Sequence, residues 1–139
     1  MSSIYDSPRL KHLEFLQAVI ARMGNISLRL KGWTATLATA LLSLSAERHS
    51  WPVMAASLLP IFLLWCVDGY YLRQERLFRR LYDAVRLADD TVESMEMSPS
   101  RYRAQITWAG AARSVTLVAF YGMIVTVALG FVAIGALTA

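Results

Sequence analysis

The sequence is poor in the residues from which catalytic and metal centres are built. It holds one cysteine, Cys66, and two histidines in 139 residues. A single thiol excludes an internal disulfide, and its place inside an apolar segment indicates a small buried hydrophobic residue. The chain has no HExxH motif, no glycine-rich phosphate loop and no nucleophile elbow. We therefore expect a protein that is not an enzyme, with no catalytic residue, no metal and no cofactor.

Charged residues are scarce as well. They make up 17% of the chain, against about 25% in soluble domains, and hydrophobic residues make up 56%, against about 45–50%. This shift is typical of a membrane protein. Neither length nor composition leaves room for a second domain, so residues 1–139 are predicted to form a single membrane domain.

Two segments are apolar enough to cross a membrane as helices. The segment 51–72 has Asp68 as its only charge, and it would rise ~33 Å against a hydrocarbon core of ~30 Å. Pro60 is expected to kink this helix, because proline removes a backbone hydrogen bond. The segment 114–137 carries no charge at all.

A third span is predicted at 26–46, although its uncharged part begins only at Gly32. It reaches ~30 Å if Arg29 and Lys31 extend their charged ends to the cytoplasmic interface. The connector to the segment 51–72 is so short that these two spans form an antiparallel hairpin. The predicted fold class is therefore all-α, an integral membrane protein with three transmembrane helices.

Two cytoplasmic amphipathic helices complete the predicted architecture. The first, 7–24, begins with Ser7 as a cap and carries apolar residues from Leu10 to Met23 at intervals of three or four residues. This stripe packs on another helix or lies on the membrane surface; we expect packing, and an end or bend at Gly24 and Asn25. The second, 73–97, directly follows the second span and carries an apolar stripe suited to packing between helices or subunits.

The distribution of lysine and arginine predicts the orientation. Of 14 such residues, five precede residue 32, eight lie between residues 73 and 113, and one lies in the connector. Because positive residues accumulate on the cytoplasmic side, we expect the N-terminus inside and the C-terminus outside. His12 and His49 then lie on opposite sides of the membrane, where they cannot bind one metal ion.

Asp68 is the most informative single residue, because a carboxylate within an apolar span is unfavourable without a partner. Arg29, Lys31 and Arg73 are the candidates to pair with it. One interpretation is a structural ion pair near the cytoplasmic interface. The alternative is a role for Asp68 in a pore or a ligand site.

A group of arginines directly follows the second span: Arg73, Arg76, Arg79 and Arg80. Such residues set membrane orientation and attract anionic lipid, contributing about 1 kcal/mol each near the surface. Mixed with aromatic residues, they also suit phosphate groups and stacked bases. The alternative is therefore a specific anionic ligand such as a nucleotide.

Small and hydroxyl side chains are frequent in the first and third spans. Hydroxyl groups in the first span allow hydrogen bonding within lipid and suit the lining of a pore. Small residues four positions apart in the third span permit tight contact within the chain or between subunits, and we expect a homo-oligomer. The residues are Thr36, Thr39 and Ser43 in the first span, and Gly122, Thr126 and Gly130 in the third.

Two stretches resemble small bacterial multi-span membrane proteins: RMGN at 22–25 followed by KGW at 31–33, and DGYYLRQER at 68–76. In general plan, most of the chain is similar to the membrane effectors of anti-phage defence, the SLATT-type and Hailong-type proteins. The resemblance implies an oligomer that permeabilises the bacterial inner membrane and works with a nucleotidyltransferase or another cytosolic sensor protein. It assigns no role to a particular residue.

The combined prediction is an oligomeric pore or channel-type effector in the lipid bilayer of the inner membrane. An anionic nucleotide or oligonucleotide would gate it, and it would act in anti-phage defence. The alternative is a membrane anchor or adaptor that recruits a cytosolic partner through residues 7–30 and 73–97 and transports nothing. Ion flux through liposomes distinguishes the two hypotheses.

Overall fold

The chain is built from helices, and the computed structural model describes residues 8–48, 51–87, 91–93 and 95–138. No strand occurs among these residues, and the prediction of an all-α chain is confirmed. The helices are α1 (Pro8–Arg48), α2 (Trp51–Arg86), α3 (Trp108–Ala112) and α4 (Val115–Thr138), with a 3-10 turn at Ser100–Tyr102 before α3.

Helix α1 replaces two predicted helices. The segments 7–24 and 26–46 are parts of one helix of 41 residues, so the end expected at Gly24 and Asn25 is wrong, and a bend there stays a prediction. Helix α2 packs against both halves of α1, and such packing outweighs propensity differences of about 1 kcal/mol per residue. Ser7, the predicted cap, lies outside the described residues.

Helix α2 also joins two predicted segments, 51–72 and 73–97, but it ends earlier, at Arg86. The described residues from 91 to 97 are not helical, so the predicted length of the cytoplasmic helix is wrong. Helix α2 continues through Pro60, and the kink expected there stays a prediction.

The end of α2 is fixed by side chains at the start of α1. The Arg9 guanidinium donates to the carbonyl oxygens of Val85, at an Nε–O distance of 2.9 Å, and of Arg86. These carbonyl groups have no partner within their own helix, so an arginine there satisfies them and stabilises the helix end. His12 is buried, and its Nε2 lies 2.6 Å from the carbonyl oxygen of Glu96.

Helices α1 and α2 pack antiparallel to each other. Near one end, Leu16 of α1 packs with Leu81 and Val85 of α2. Nearer the other end, Ala38 of α1 packs with Ile61 of α2. The apolar stripe of segment 7–24 therefore packs on another helix, as predicted. Helix α4 joins the second cluster through Leu117, Tyr121 and Ile124.

Helices α2 and α4, of 36 and 24 residues, are each long and apolar enough to cross a membrane, a finding compatible with a membrane protein. Helix α1 does not meet the same hydropathy criterion, because its charged and hydroxyl residues lower its mean hydropathy. Three spans are therefore not confirmed. At 1.5 Å per residue, α1 and α2 extend about 60 and 54 Å, well beyond a hydrocarbon core of ~30 Å.

Candidate functional site

Asp68 lies in the interior of the bundle, where α1, α2 and α4 meet, and it is 0% exposed. Its Oδ2 atom lies 2.6 Å from the Lys31 ammonium nitrogen and 3.2 Å from the Tyr121 hydroxyl oxygen. Its Oδ1 atom accepts a hydrogen bond from the Ser27 hydroxyl. A buried carboxylate is stable only when it is paired and hydrogen-bonded, and both conditions are met here.

The network extends beyond the ion pair. Lys31 Nζ also donates to Ser27 Oγ at 2.8 Å, one helical turn away on α1. The Tyr121 hydroxyl oxygen lies 3.4 Å from the Leu64 carbonyl oxygen and 3.5 Å from Thr34 Oγ1. These directional hydrogen bonds fix the relative positions of the three helices along their axes. Apolar packing alone would define these positions less strictly.

Of the three cations predicted as partners of Asp68, the structure selects Lys31. Arg29 is exposed on α1. Arg73 donates instead to the Ile106 carbonyl oxygen at 2.8 Å, and thereby ties the chain before α3 to α2. Asp68 thus forms a structural ion pair. Because it is fully buried and paired within the chain, it does not line an exposed surface of the single chain, and the role in a pore or a ligand site considered for it stays a prediction.

Gly69, the neighbour of Asp68, allows α3 to approach α2 closely. A Cβ atom at this position would lie 3.2 Å from the Ala112 Cβ and 3.3 Å from the Ala112 Cα. The Trp108 indole nitrogen would lie 3.4 Å away, and it donates to the Cys66 carbonyl oxygen at 3.3 Å. Cys66 itself is half-buried, not fully buried as its sequence position indicates.

A groove of about 420 Å³ lies between α2 and the chain around α3. We call it the arginine groove. Three of the four predicted ligand-binding arginines line it; Arg73 is not one of the lining residues and donates to the Ile106 carbonyl oxygen. Thr107 Oγ1 accepts a hydrogen bond from the Gly110 N–H at 3.1 Å, which leaves the hydroxyl proton able to donate. The lining residues are Arg76, Arg79, Arg80, Asp83, Gln105, Ile106, Thr107 and Gly110.

The positive charge of the arginine groove is only partly neutralised. Arg79 Nε and Nη2 donate to one carboxylate oxygen of Glu75, at 2.9 and 2.6 Å. Arg76 is half-buried and Arg80 is exposed, and neither forms an ion pair with a residue that the structure describes. Asp83 at the edge is the acidic member of the lining. Two unpaired guanidinium groups beside hydroxyl and amide groups suit a phosphate group.

The hydroxyl residues predicted for a pore lie on the outer surface of α1. Thr36, Thr39 and Ser43 are all exposed, and we call them the hydroxyl stripe. Thr36 Oγ1 donates to the Gly32 carbonyl oxygen at 3.0 Å, and Thr39 Oγ1 to the Ala35 carbonyl oxygen at 2.8 Å. No other part of the described chain covers this surface.

The predicted small-residue face of α4 makes no contact within the described chain. Gly122, Thr126 and Gly130 are exposed, and a Cβ atom at either glycine would have no neighbour within 4 Å. The Thr126 hydroxyl donates to the Gly122 carbonyl oxygen at 2.7 Å. A seam within the chain is therefore wrong for these residues, and contact between subunits stays a prediction.

Four polar members of the two sites are not predicted from the sequence: Ser27, Tyr121, Gln105 and Thr107. Ser27 stands four residues before Lys31 on one helix face, and this spacing is a recognisable pairing signal. Tyr121 brings a hydroxyl group into an otherwise apolar span, which is a second signal in the sequence. No pattern in the sequence points to Gln105 and Thr107. They reach the arginines only because the segment before α3 lies beside α2 in the folded chain.

Among the residues that the structure describes, no group of three or more histidine, cysteine, aspartate or glutamate side chains is placed to hold a metal ion. His49 lies outside those residues. Comparisons of the chain with protein-family models, curated proteins and solved structures found no match.

Proposed function

We propose that the chain is an integral protein of the bacterial inner membrane with three helices in the bilayer. The N-terminus would be cytoplasmic and the C-terminus outside, in accord with the lysine and arginine distribution. Support for α1 as the third span comes from Ala38, which is buried against Ile61 of α2 and Ile124 of α4. This part of α1 is therefore level with the apolar segments of the other two helices.

The proposed activity is that of an oligomeric pore, and the hydroxyl stripe is the observation that carries it. Lipid offers an exposed hydroxyl group no partner outside its own helix, whereas water or a second subunit does. In an oligomer, the α1 helices would surround a path for ions with their hydroxyl stripes. The small-residue face of α4 would then pack between copies.

The proposed trigger is a phosphate-bearing ligand in the arginine groove, a nucleotide or an oligonucleotide. Arg76 and Arg80 would contact its phosphate oxygens from α2, and Gln105 and Thr107 would contact them from the chain before α3. Binding would thereby connect α2 to the segment that leads into α4. The similarity in plan to membrane effectors of anti-phage defence supports this role, in which a cytosolic sensor protein supplies the ligand.

The test is ion flux through liposomes that contain the purified protein, beside its mass in nanodiscs. We expect a defined oligomer and flux that rises on addition of ATP or a short oligonucleotide. Sealed liposomes in every condition would contradict the pore. If a single cytosolic protein then bound stoichiometrically to the full chain, the protein would be an adaptor instead.

The hydroxyl stripe gives a first prediction. The protein for this test carries Cys66→Ala, so that the introduced cysteine is its only thiol. The variant with Thr39→Cys is expected to lose most of its ion flux when a charged methanethiosulfonate reagent is added. The reason is that the reagent reaches a thiol that lies in the water-filled path and modifies it. Met123→Cys is the control, since Met123 is 62% exposed on α4, away from the stripe. Equal loss of flux in both variants, or no loss at Thr39, would contradict a path along α1.

The arginine groove gives a second prediction. The double variant Arg76→Gln, Arg80→Gln is expected to weaken nucleotide binding by about 100-fold or more, because two charge-assisted contacts are worth about 1.5 kcal/mol each. Calorimetric titration of the protein in nanodiscs measures this. The matched control is Arg22→Gln, Arg29→Gln, which removes the same charge from exposed positions on α1. A similar loss in the control would indicate unspecific attraction of anions.

A further inference from the structure

A second groove lies on the other side of α3 from the arginine groove. It has a volume of about 180 Å³ and is lined by Phe62 and Trp65 of α2 and by Trp108, Ala109 and Arg113. We call it the aromatic groove. Ala109 lines this groove whereas its neighbour Gly110 lines the arginine groove, so α3 separates the two.

The indole rings of the aromatic groove are held in place by the backbone. The Trp65 indole N–H donates to the Ala112 carbonyl oxygen at 3.1 Å, and the Trp108 indole N–H donates to the Cys66 carbonyl oxygen at 3.3 Å. Each polar group of these rings is therefore already satisfied. Apolar ring surface faces the groove, and Phe62 beside it is 54% exposed.

Arg113 places a positive charge at the edge of this apolar surface. It is exposed and forms no ion pair with a residue in the described part of the chain. It is also the last charged residue before α4, whose sequence has none. The groove thus combines an apolar wall, which begins inside the apolar part of α2, with a cation where α4 starts.

We propose that the aromatic groove binds an anionic phospholipid of the cytoplasmic leaflet. The phosphate group would lie on the Arg113 guanidinium, and one acyl chain would lie against Phe62 and Trp65. Charge complementarity and the continuity of the groove with the apolar surface of α2 argue for this occupant, since basic pockets between spans on the cytoplasmic side suit anionic head groups. The proposal rests on the membrane orientation proposed above, and does not depend on pore activity.

The experiment is quenching of tryptophan fluorescence by brominated lipids in vesicles of phosphatidylcholine. The protein carries Trp33→Phe and Trp51→Phe, so that only Trp65 and Trp108 of its four tryptophans report. Brominated phosphatidylglycerol is compared with brominated phosphatidylcholine at equal mole fraction. We expect the anionic lipid to reach half-maximal quenching at about fivefold lower mole fraction, the preference that one arginine near the surface gives.

Two variants test the site. Arg113→Gln is expected to remove the preference for phosphatidylglycerol, whereas Arg22→Gln, an equal loss of charge at an exposed position on α1, retains it. Ala109→Leu keeps every charge but fills the groove, and it is expected to reduce the preference as well.

Equal quenching by both lipids in the parent protein, or a preference that survives both groove variants, would overturn the lipid site alone. Absence of quenching by either brominated lipid would overturn the lipid site together with the membrane placement of α2. The two failures are therefore distinguishable. Near-ultraviolet circular dichroism of each variant shows whether its fold is retained. If one of the two groove variants does not fold, the lipid preference of the other one tests the site.

Discussion

Replacing Lys31 with methionine is expected to lower the free energy of unfolding by about 3–5 kcal/mol, the cost of leaving a buried carboxylate without its cation. Asp68 is 0% exposed, so its charge cannot turn towards water when the ammonium group is removed. The Ser27 and Tyr121 hydroxyl groups remain, but they supply hydrogen bonds and no compensating charge. Reversible unfolding in mixed micelles measures the loss.

The two sides of this ion pair are not equivalent. The Lys31 side chain is 16% exposed, so after Asp68→Asn its ammonium group still reaches water, and we expect a smaller loss than for Lys31→Met. The double variant is expected to recover most of the stability, because it leaves no unpaired charge. Arg29→Met, an exposed cation two residues away, is the control. A loss at Lys31 no larger than at Arg29 would contradict the structural role of the pair.

Replacing Gly69 with valine is the second change for which we expect a large effect, about 1–3 kcal/mol from overpacking. A Cβ atom there would lie 3.3 Å from the Ala112 Cα, which is backbone and cannot rotate away. Helices α2 and α3 would have to separate, and the indole hydrogen bond from Trp108 to the Cys66 carbonyl would lengthen. Unfolding in micelles and a shift in tryptophan emission measure these two consequences.

Gly32→Val on α1 is the matched control for this change, because a Cβ atom at Gly32 has no neighbour within 4 Å. It introduces the same β-branched residue into a helix, with the same small change in intrinsic helix propensity, which favours valine over glycine. If both variants lost equal stability, a general effect of valine in these helices and not close contact with Ala112 would explain the loss at Gly69. If Gly69→Val were as stable as the parent protein, α3 would not pack on α2 as described.

The existence of most helical segments could be predicted from apolar periodicity and from the contrast between uncharged and charged segments. The residues at which the helices begin and end could not be predicted in this way. Gly24 and Asn25 favour a break only when α1 is considered alone, and contact with α2 reverses that preference. The end of α2 at Arg86 depends on Arg9, which is distant in sequence and approaches only because the two helices are antiparallel.

The candidate site, too, could be predicted from the sequence only in part. Asp68 could be singled out because a carboxylate in an apolar span requires a partner, but three cations were equally suitable by sequence. The choice of Lys31 follows from the shared face of Ser27 and Lys31, and from the contact that occupies Arg73 with Ile106. The arginines indicated an anion, whereas Gln105 and Thr107 join them only through tertiary structure.

Because α1 is one continuous helix, a rotation of the helix axis moves both of its ends together. No break separates its N-terminal half from the half that lies beside the apolar segments of α2 and α4, and the ion pair with Asp68 holds it at Lys31. From this pivot the helix extends about 35 Å towards Pro8 and about 25 Å towards Arg48. A tilt about this point therefore moves the two ends in opposite directions, and the end at Arg48 travels roughly 0.7 times as far as the end at Pro8.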